Sequence, residues 1–114
     1  MSFNRILKID NLDTLKELRE LNLSFNLIET IDNLHKIPQL RSVNLNQNKI
    51  RQLENLRGLR KLEILSISGN LLEDLTISGG GEPLLELKEI NAGKNKIQVI
   101  KSSFSLFPNV RILL

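Results

Sequence analysis

Three short stretches of the 114-residue chain carry residue types that do chemistry elsewhere. The run SGGGEP, Ser78 to Pro83, groups three glycines. A glycine-rich loop cradles phosphate when a strand precedes it and a helix opening on Lys-Ser or Lys-Thr follows. Here Glu82 and Pro83 follow, and no GK[ST] occurs anywhere. The run therefore reads as a bulge between elements, with a partner-contact loop as the alternative. The second stretch is NLHKIP, which holds His35, the single histidine of a chain without cysteine. That composition excludes disulfides, thiolate zinc sites, thiol nucleophiles and any site needing two imidazoles, and His35 reads as an exposed side chain. The third is NLS, Asn22 to Ser24, which matches an N-glycosylation acceptor. It falls in a strand-like pattern, and the N-terminus lacks the apolar run of a secretion signal. No acid pair, Ser-His-Asp set or metal-ligand cluster emerges, so the expectation is a protein that is not an enzyme, with no cofactor and no metal.

What does recur is an asparagine inside an apolar pattern. Written in register, LRELNLSFNLIETIDNLHKIPQ runs from Leu18, LRSVNLNQNKIRQLENLRGLRK from Leu40, LEILSISGNLLEDLTISGGGEPLLE from Leu62 and LKEINAGKNKIQVIKSSFSLFPN from Leu87, and VRILL follows from Val110. The starts lie 22, 22, 25 and 23 residues apart. FNRILKIDNLDTLKEL from Phe3 matches FNLIETIDNLHKIPQL from Phe25, so the amide recurs as Asn4, Asn26, Asn48, Asn70 and Asn95. In LxL the apolar residues alternate, the period of a strand with one buried face. In IxxLxxL the spacing becomes three, which suits a short helix or 3₁₀ turn. Each unit is then strand, turn and return segment, and only stacking on its neighbours buries its apolar side.

The pattern LxxLxLxxNxI followed by xxIxxLxxL resembles the leucine-rich repeat over essentially the whole chain. Its 22-residue form is similar to the subclass typified by a regulatory subunit of protein phosphatase 1, which also includes axonemal dynein light chains and centriolar or ciliary proteins. The resemblance implies an α/β solenoid with a short parallel sheet on the concave side and 3₁₀ or short helical segments on the convex side. It also implies that the asparagines stack into a ladder on backbone groups of adjoining turns, each loss costing roughly 1–3 kcal/mol. Residues 1–114 form one domain in this reading. It comprises a partial repeat 1–17, repeats 18–39, 40–61, 62–86 and 87–109, and a partial repeat 110–114. Neither end carries a polar cap, so the expectation is a partial chain, or ends covered by association with neighbouring chains.

With the register fixed, the side chains expected on the concave face are Arg19, Glu20, Asn22, Ser24 and Phe25, then Arg41, Ser42, Asn44, Asn46 and Gln47. The next repeats add Glu63, Ile64, Ser66, Ser68 and Gly69, then Lys88, Glu89, Asn91, Gly93 and Lys94, with Arg111 and Ile112 closing the row. Two stripes, Asn22–Asn44–Ser66–Asn91 and Ser24–Asn46–Ser68–Gly93, are small, neutral and hydrogen-bonding. They suit a polypeptide partner and concentrate no charge to grip phosphate. Phe25, with Phe3 one repeat earlier, is the candidate aromatic anchor, with packing over the strand-to-turn corner as the alternative. A basic group on the second return segment, Lys49, Arg51, Arg57, Arg60 and Lys61, is interrupted by Glu54 and Glu63. It reads as a solvated face, with an acidic partner surface as the alternative.

Net charge is +3, with 40% apolar and 25% charged residues, and both signs are interspersed. That balance fits a soluble domain and carries no nucleic-acid footprint. No stretch nears the 18 apolar residues that a membrane span needs. The function expected is a scaffold or adaptor that binds another protein through the concave face. It would be intracellular, in a cytoskeletal, ciliary or nuclear setting, with no small-molecule substrate, no direct nucleic acid and no membrane. The alternatives are a phosphatase regulatory subunit and a structural segment with no ligand of its own. The resemblance implies a face rich in acidic and large aromatic residues for the phosphatase regulator, whereas this row is mostly Asn, Ser, Arg and Lys with no Trp or Tyr, which counts against the first.

Overall fold

A computed structural model describes residues 5–10, 12, 14–56, 58–75, 77–78, 86–97 and 110–114. Phe3, Asn4, Arg57, the glycines of the inserted run and the return part of the fourth repeat (98–109) lie outside them.

Each LxL core makes one three-residue strand: β1 Glu20–Asn22, β2 Ser42–Asn44, β4 Ile64–Ser66, β6 Glu89–Asn91 and β7 Arg111–Leu113. They form a parallel sheet in the order β1-β2-β4-β6-β7, so every strand pairs with that of the next repeat. Leu21, Val43, Leu65, Ile90 and Ile112 share one inward row. The flanking rows are Glu20–Ser42–Ile64–Glu89–Arg111 and Asn22–Asn44–Ser66–Asn91–Leu113. The ladder continues beyond the strands through Leu23 N–H to Asn44 O and Phe25 N–H to Asn46 O. This is the expected repeat solenoid.

The return segments show why apolar residues recur every third position. Leu15 N–H donates to Leu12 O and Leu18 N–H to Leu15 O; the same pair of bonds links Leu34, Ile37 and Leu40, and then Leu56, Leu59 and Leu62. Each bond closes a 3₁₀-type turn, in which residues three apart eclipse one another on one side. That side faces the core, where Leu34, Ile37, Leu40, Leu56, Leu59 and Leu62 are fully buried. Leu34–Lys36 forms a regular 3₁₀ turn. Elsewhere the return is more extended than a helical reading implies: β3 (Leu53–Glu54) pairs in parallel with β5 (Ile77–Ser78) as a second small sheet.

The last rung differs from the expected register by one residue. Starting the final unit at Val110 placed Arg111 opposite Lys88 and turned Ile112 outward. Instead Arg111 pairs with Glu89 and Ile112 with Ile90, an offset of 22 residues rather than 23. Arg111 N–H donates to Lys88 O, as Ser42 N–H does to Arg19 O in the first pair. Because side chains alternate, a one-residue shift exchanges every face: Ile112 packs against the core and Leu113 joins the outward row. Ile112→Ala is therefore expected to cost about 1 kcal/mol and Leu113→Ala only a few tenths, measured by urea unfolding. The opposite ranking would restore the shifted register.

Candidate partner-binding face

The asparagines hold the bend where the chain leaves each strand. Asn48 Nδ2 donates to Leu45 O at 3.0 Å and Asn46 O at 3.2 Å in its own turn, and to Leu23 O at 3.0 Å in the preceding one. Its Oδ1 accepts from Ile28 N–H at 3.0 Å. Asn70 repeats the set with Ile67, Ser68, Leu45 and Ile50, and Asn95 with Ala92, Gly93, Ile67 and Leu72. Asn26 donates to Leu23 O and Ser24 O and accepts from Ile6 N–H. Asn26, Asn48 and Asn70 are buried, so each amide satisfies backbone groups that are buried or half-buried in the turn. Asn26, Asn48 and Asn70 hold the fold from the interior, and Asn95, at the end of the ladder, is half-buried. The residue before each takes a left-handed conformation, Phe25 at φ 57°, Gln47 at 57°, Gly69 at 68° and Lys94 at 53°. The Gln47 side chain lies over Gly69, where an added Cβ would meet its amide.

A second asparagine column went unread in the sequence. Asn33 and Asn55, both with positive φ, donate through Nδ2 to Ile9 O at 2.6 Å and Ile31 O at 2.8 Å. Asparagine enters the left-handed region more readily than other side-chain-bearing residues. The signal was present as IDNL and LENL, 22 residues apart.

The outward face of the sheet brings together most of the residues assigned to it. Arg19, Glu20, Asn22, Phe25, Arg41, Gln47, Lys88 and Lys94 are exposed, and Asn44, Asn46, Ser66, Ser68 and Asn91 are half-buried. Ser24 departs from this pattern. It is only 5% exposed, and its Oγ donates to Asn22 Oδ1 at 2.6 Å, so little of it reaches solvent. Phe25 is 48% exposed and Ile64 38%, which makes Ile64 an apolar point in mid-sheet. Leu113, absent from the expected face, joins it through the corrected register. A shallow depression of about 300 Å³ lies among Asn46, Ser68, Asn91, Gly93, Leu113 and Leu114.

The polar groups of this face are partly spent on one another. Asn22 Oδ1 also accepts from Ser24 N–H, and Asn44 Oδ1 accepts from Asn46 N–H, both at 3.0 Å. Asn46 Oδ1 accepts from Ser68 N–H at 2.8 Å and Ser68 Oγ at 3.0 Å. Glu89 accepts from Asn91 Nδ2 at 3.2 Å, and Glu63 pairs with Lys88 at 3.1 Å. Exposed pairs of this kind add little stability. Their consequence here is that side-chain acceptors and two of the acids are already occupied.

His35 is exposed on the return side, and Lys61 of the basic group donates to Gln39 Oε1 at 2.7 Å. Among the described residues no three His, Cys, Asp or Glu side chains gather as a metal site. Nor is any helix there long and apolar enough to cross a membrane.

Residues 38–79 match the family model of leucine-rich repeats, in two copies, which supports a leucine-rich repeat family for the chain. Repeats of this family are generally protein–protein interaction modules and typically non-catalytic. No curated protein matches the chain significantly.

Proposed function

With a leucine-rich repeat family as premise, we propose that this chain is a non-catalytic scaffold or adaptor that holds a protein partner against its concave sheet. The observation that carries the proposal is the outward face itself. Five strands in unbroken register present contiguous rows of hydrogen-bonding side chains, with exposed aliphatics at Ile64 in mid-sheet and Leu113 on the last rung. A polypeptide can lie along such a face with little desolvation cost, and a pocket for a small substrate is not needed. The partner-contacting residues in this proposal are Arg19, Glu20, Asn22, Phe25, Arg41, Asn44, Asn46, Gln47, Ser66, Ser68, Lys88, Asn91 and Lys94, with Ser24 contributing through Asn22. The setting proposed is intracellular, with a cytoskeletal or ciliary partner favoured over a phosphatase, because the face lacks tryptophan and tyrosine altogether. Repeat type alone is an analogy at the level of fold. The 22-residue spacing of three of the four strand pairs supports the subclass similar to the phosphatase regulator without making this chain one.

Affinity capture from a cell extract tests the proposal. The bait is this chain, beside a variant carrying Asn44→Arg and Ser66→Glu, with circular dichroism showing that both are folded. A partner held by the first bait and lost by the second is the expected result. Equal capture by both would move the site to the convex side or the ends.

A further inference from the structure

We infer that the β1–β2 end of the concave face takes an acidic, extended segment of the partner protein, seating a carboxylate between Arg19 and Arg41 while the amides of Asn22, Asn44 and Asn46 donate to its carbonyls. This rests on the concave reading above and names the chemistry of what binds there.

Arg19 and Arg41 occupy equivalent positions on adjacent rungs, and both are exposed. Parallel neighbours stand about 4.8 Å apart, so two like charges face one another across one strand spacing. The next acid in that row, Glu63, is turned to Lys88, and neither arginine has an ion-pair partner among the described residues. A carboxylate entering between them removes the repulsion, and arginine's fork of donors favours planar acceptors. The amides beside them are biased the same way. The Oδ1 atoms of Asn22, Asn44 and Asn46 accept internal bonds, whereas their Nδ2 groups make none among the described residues. The end thus offers donors and cations, and an incoming segment must bring acceptors. Glu20 is the one opposing group: it is exposed in the row between Arg19 and Leu21. It bars a continuous run of acids, so the segment carries its carboxylate opposite the arginine pair and a neutral residue opposite Glu20. Exposed Ile64, two rungs along from Glu20, gives an apolar side chain of the same segment a contact.

The test is fluorescence anisotropy on the whole chain. The probes are a labelled peptide of alternating glutamate and valine, its lysine–valine counterpart, and a single-stranded oligonucleotide of matched negative charge. The glutamate peptide is expected to bind, the lysine peptide to fail, and the oligonucleotide to bind more weakly. Arg19→Ala with Arg41→Ala should weaken the glutamate peptide roughly tenfold. So should Asn44→Asp, which keeps the Oδ1 acceptor for Asn46 N–H and puts an anionic acceptor where the donor stood. Absence of glutamate-peptide binding, binding insensitive to these variants, or tighter binding of the oligonucleotide would each overturn the inference. A captured partner lost with Asn44→Arg and Ser66→Glu but kept by the double arginine variant would overturn it while leaving the concave reading intact. Capture unaffected by both sets would overturn both.

Discussion

Asn48→Ala lowers the unfolding free energy by about 3 kcal/mol, the upper end for one buried polar side chain. Four hydrogen bonds end on this amide, three from Nδ2 and one to Oδ1. Its removal leaves the buried Ile28 N–H without its acceptor, takes one of two amide donors from each of the Leu23 and Leu45 carbonyls, which keep those of Asn26 and Asn70, and leaves a gap where the carboxamide stood. Two successive repeats lose their tie at once, so the effect spreads along a solenoid in which each unit is stabilised chiefly by its neighbours. Asn46→Ala, two residues earlier and half-buried, should cost about 1 kcal/mol or less. Urea unfolding followed by circular dichroism separates the two, provided the slope with denaturant is unchanged. A loss at Asn48 no greater than at Asn46 would mean that the ladder does not hold the turns.

Leu65→Ala is expected to cost about 3 kcal/mol. Leu65 is fully buried in the central strand, paired in register with Val43 on one side and Ile90 on the other. Truncation there removes apolar contact and leaves a cavity between rungs whose backbone is fixed by the sheet, so little collapse is possible. The neighbouring Ile64→Ala should cost well under 1 kcal/mol, because Ile64 points to the outward face and is already 38% exposed. The same pair of variants should reverse in a binding assay, with Ile64→Ala weakening the partner and Leu65→Ala acting only through stability. Thermal unfolding reads the first ranking directly.

Much of the fold was legible because it is repetitive. LxL fixed which residues alternate inward, IxxLxxL marked the turns, and the recurring asparagine marked the bend. Stacking then leaves few choices, since each unit exposes an apolar side until the next covers it. The final strand was harder for a physical reason. In VRILL four of five residues are apolar, so two registers each bury hydrophobic side chains, and only the ladder with β6 discriminates between them. The column of Asn33 and Asn55 was missed for a different reason. Its spacing was visible, but its role depends on a left-handed backbone that composition does not announce. On the concave face the rows could be read from alternation, whereas the direction of each hydrogen bond could not. That Ser24 folds onto Asn22, and that three asparagines keep donors rather than acceptors free, follows from local backbone geometry.

The most direct measurement of the central claim is an NMR titration of the nitrogen-15-labelled chain with its captured partner, read at the side-chain amides. The account predicts shifts at Asn22, Asn44, Asn46 and Asn91, which line the outward face, and none at Asn26, Asn48 and Asn70, which are locked in the interior. Shifts confined to the return side, at Asn33, Gln39, Asn55 and the amides of Arg51 to Lys61, with the concave asparagines unmoved, would contradict it.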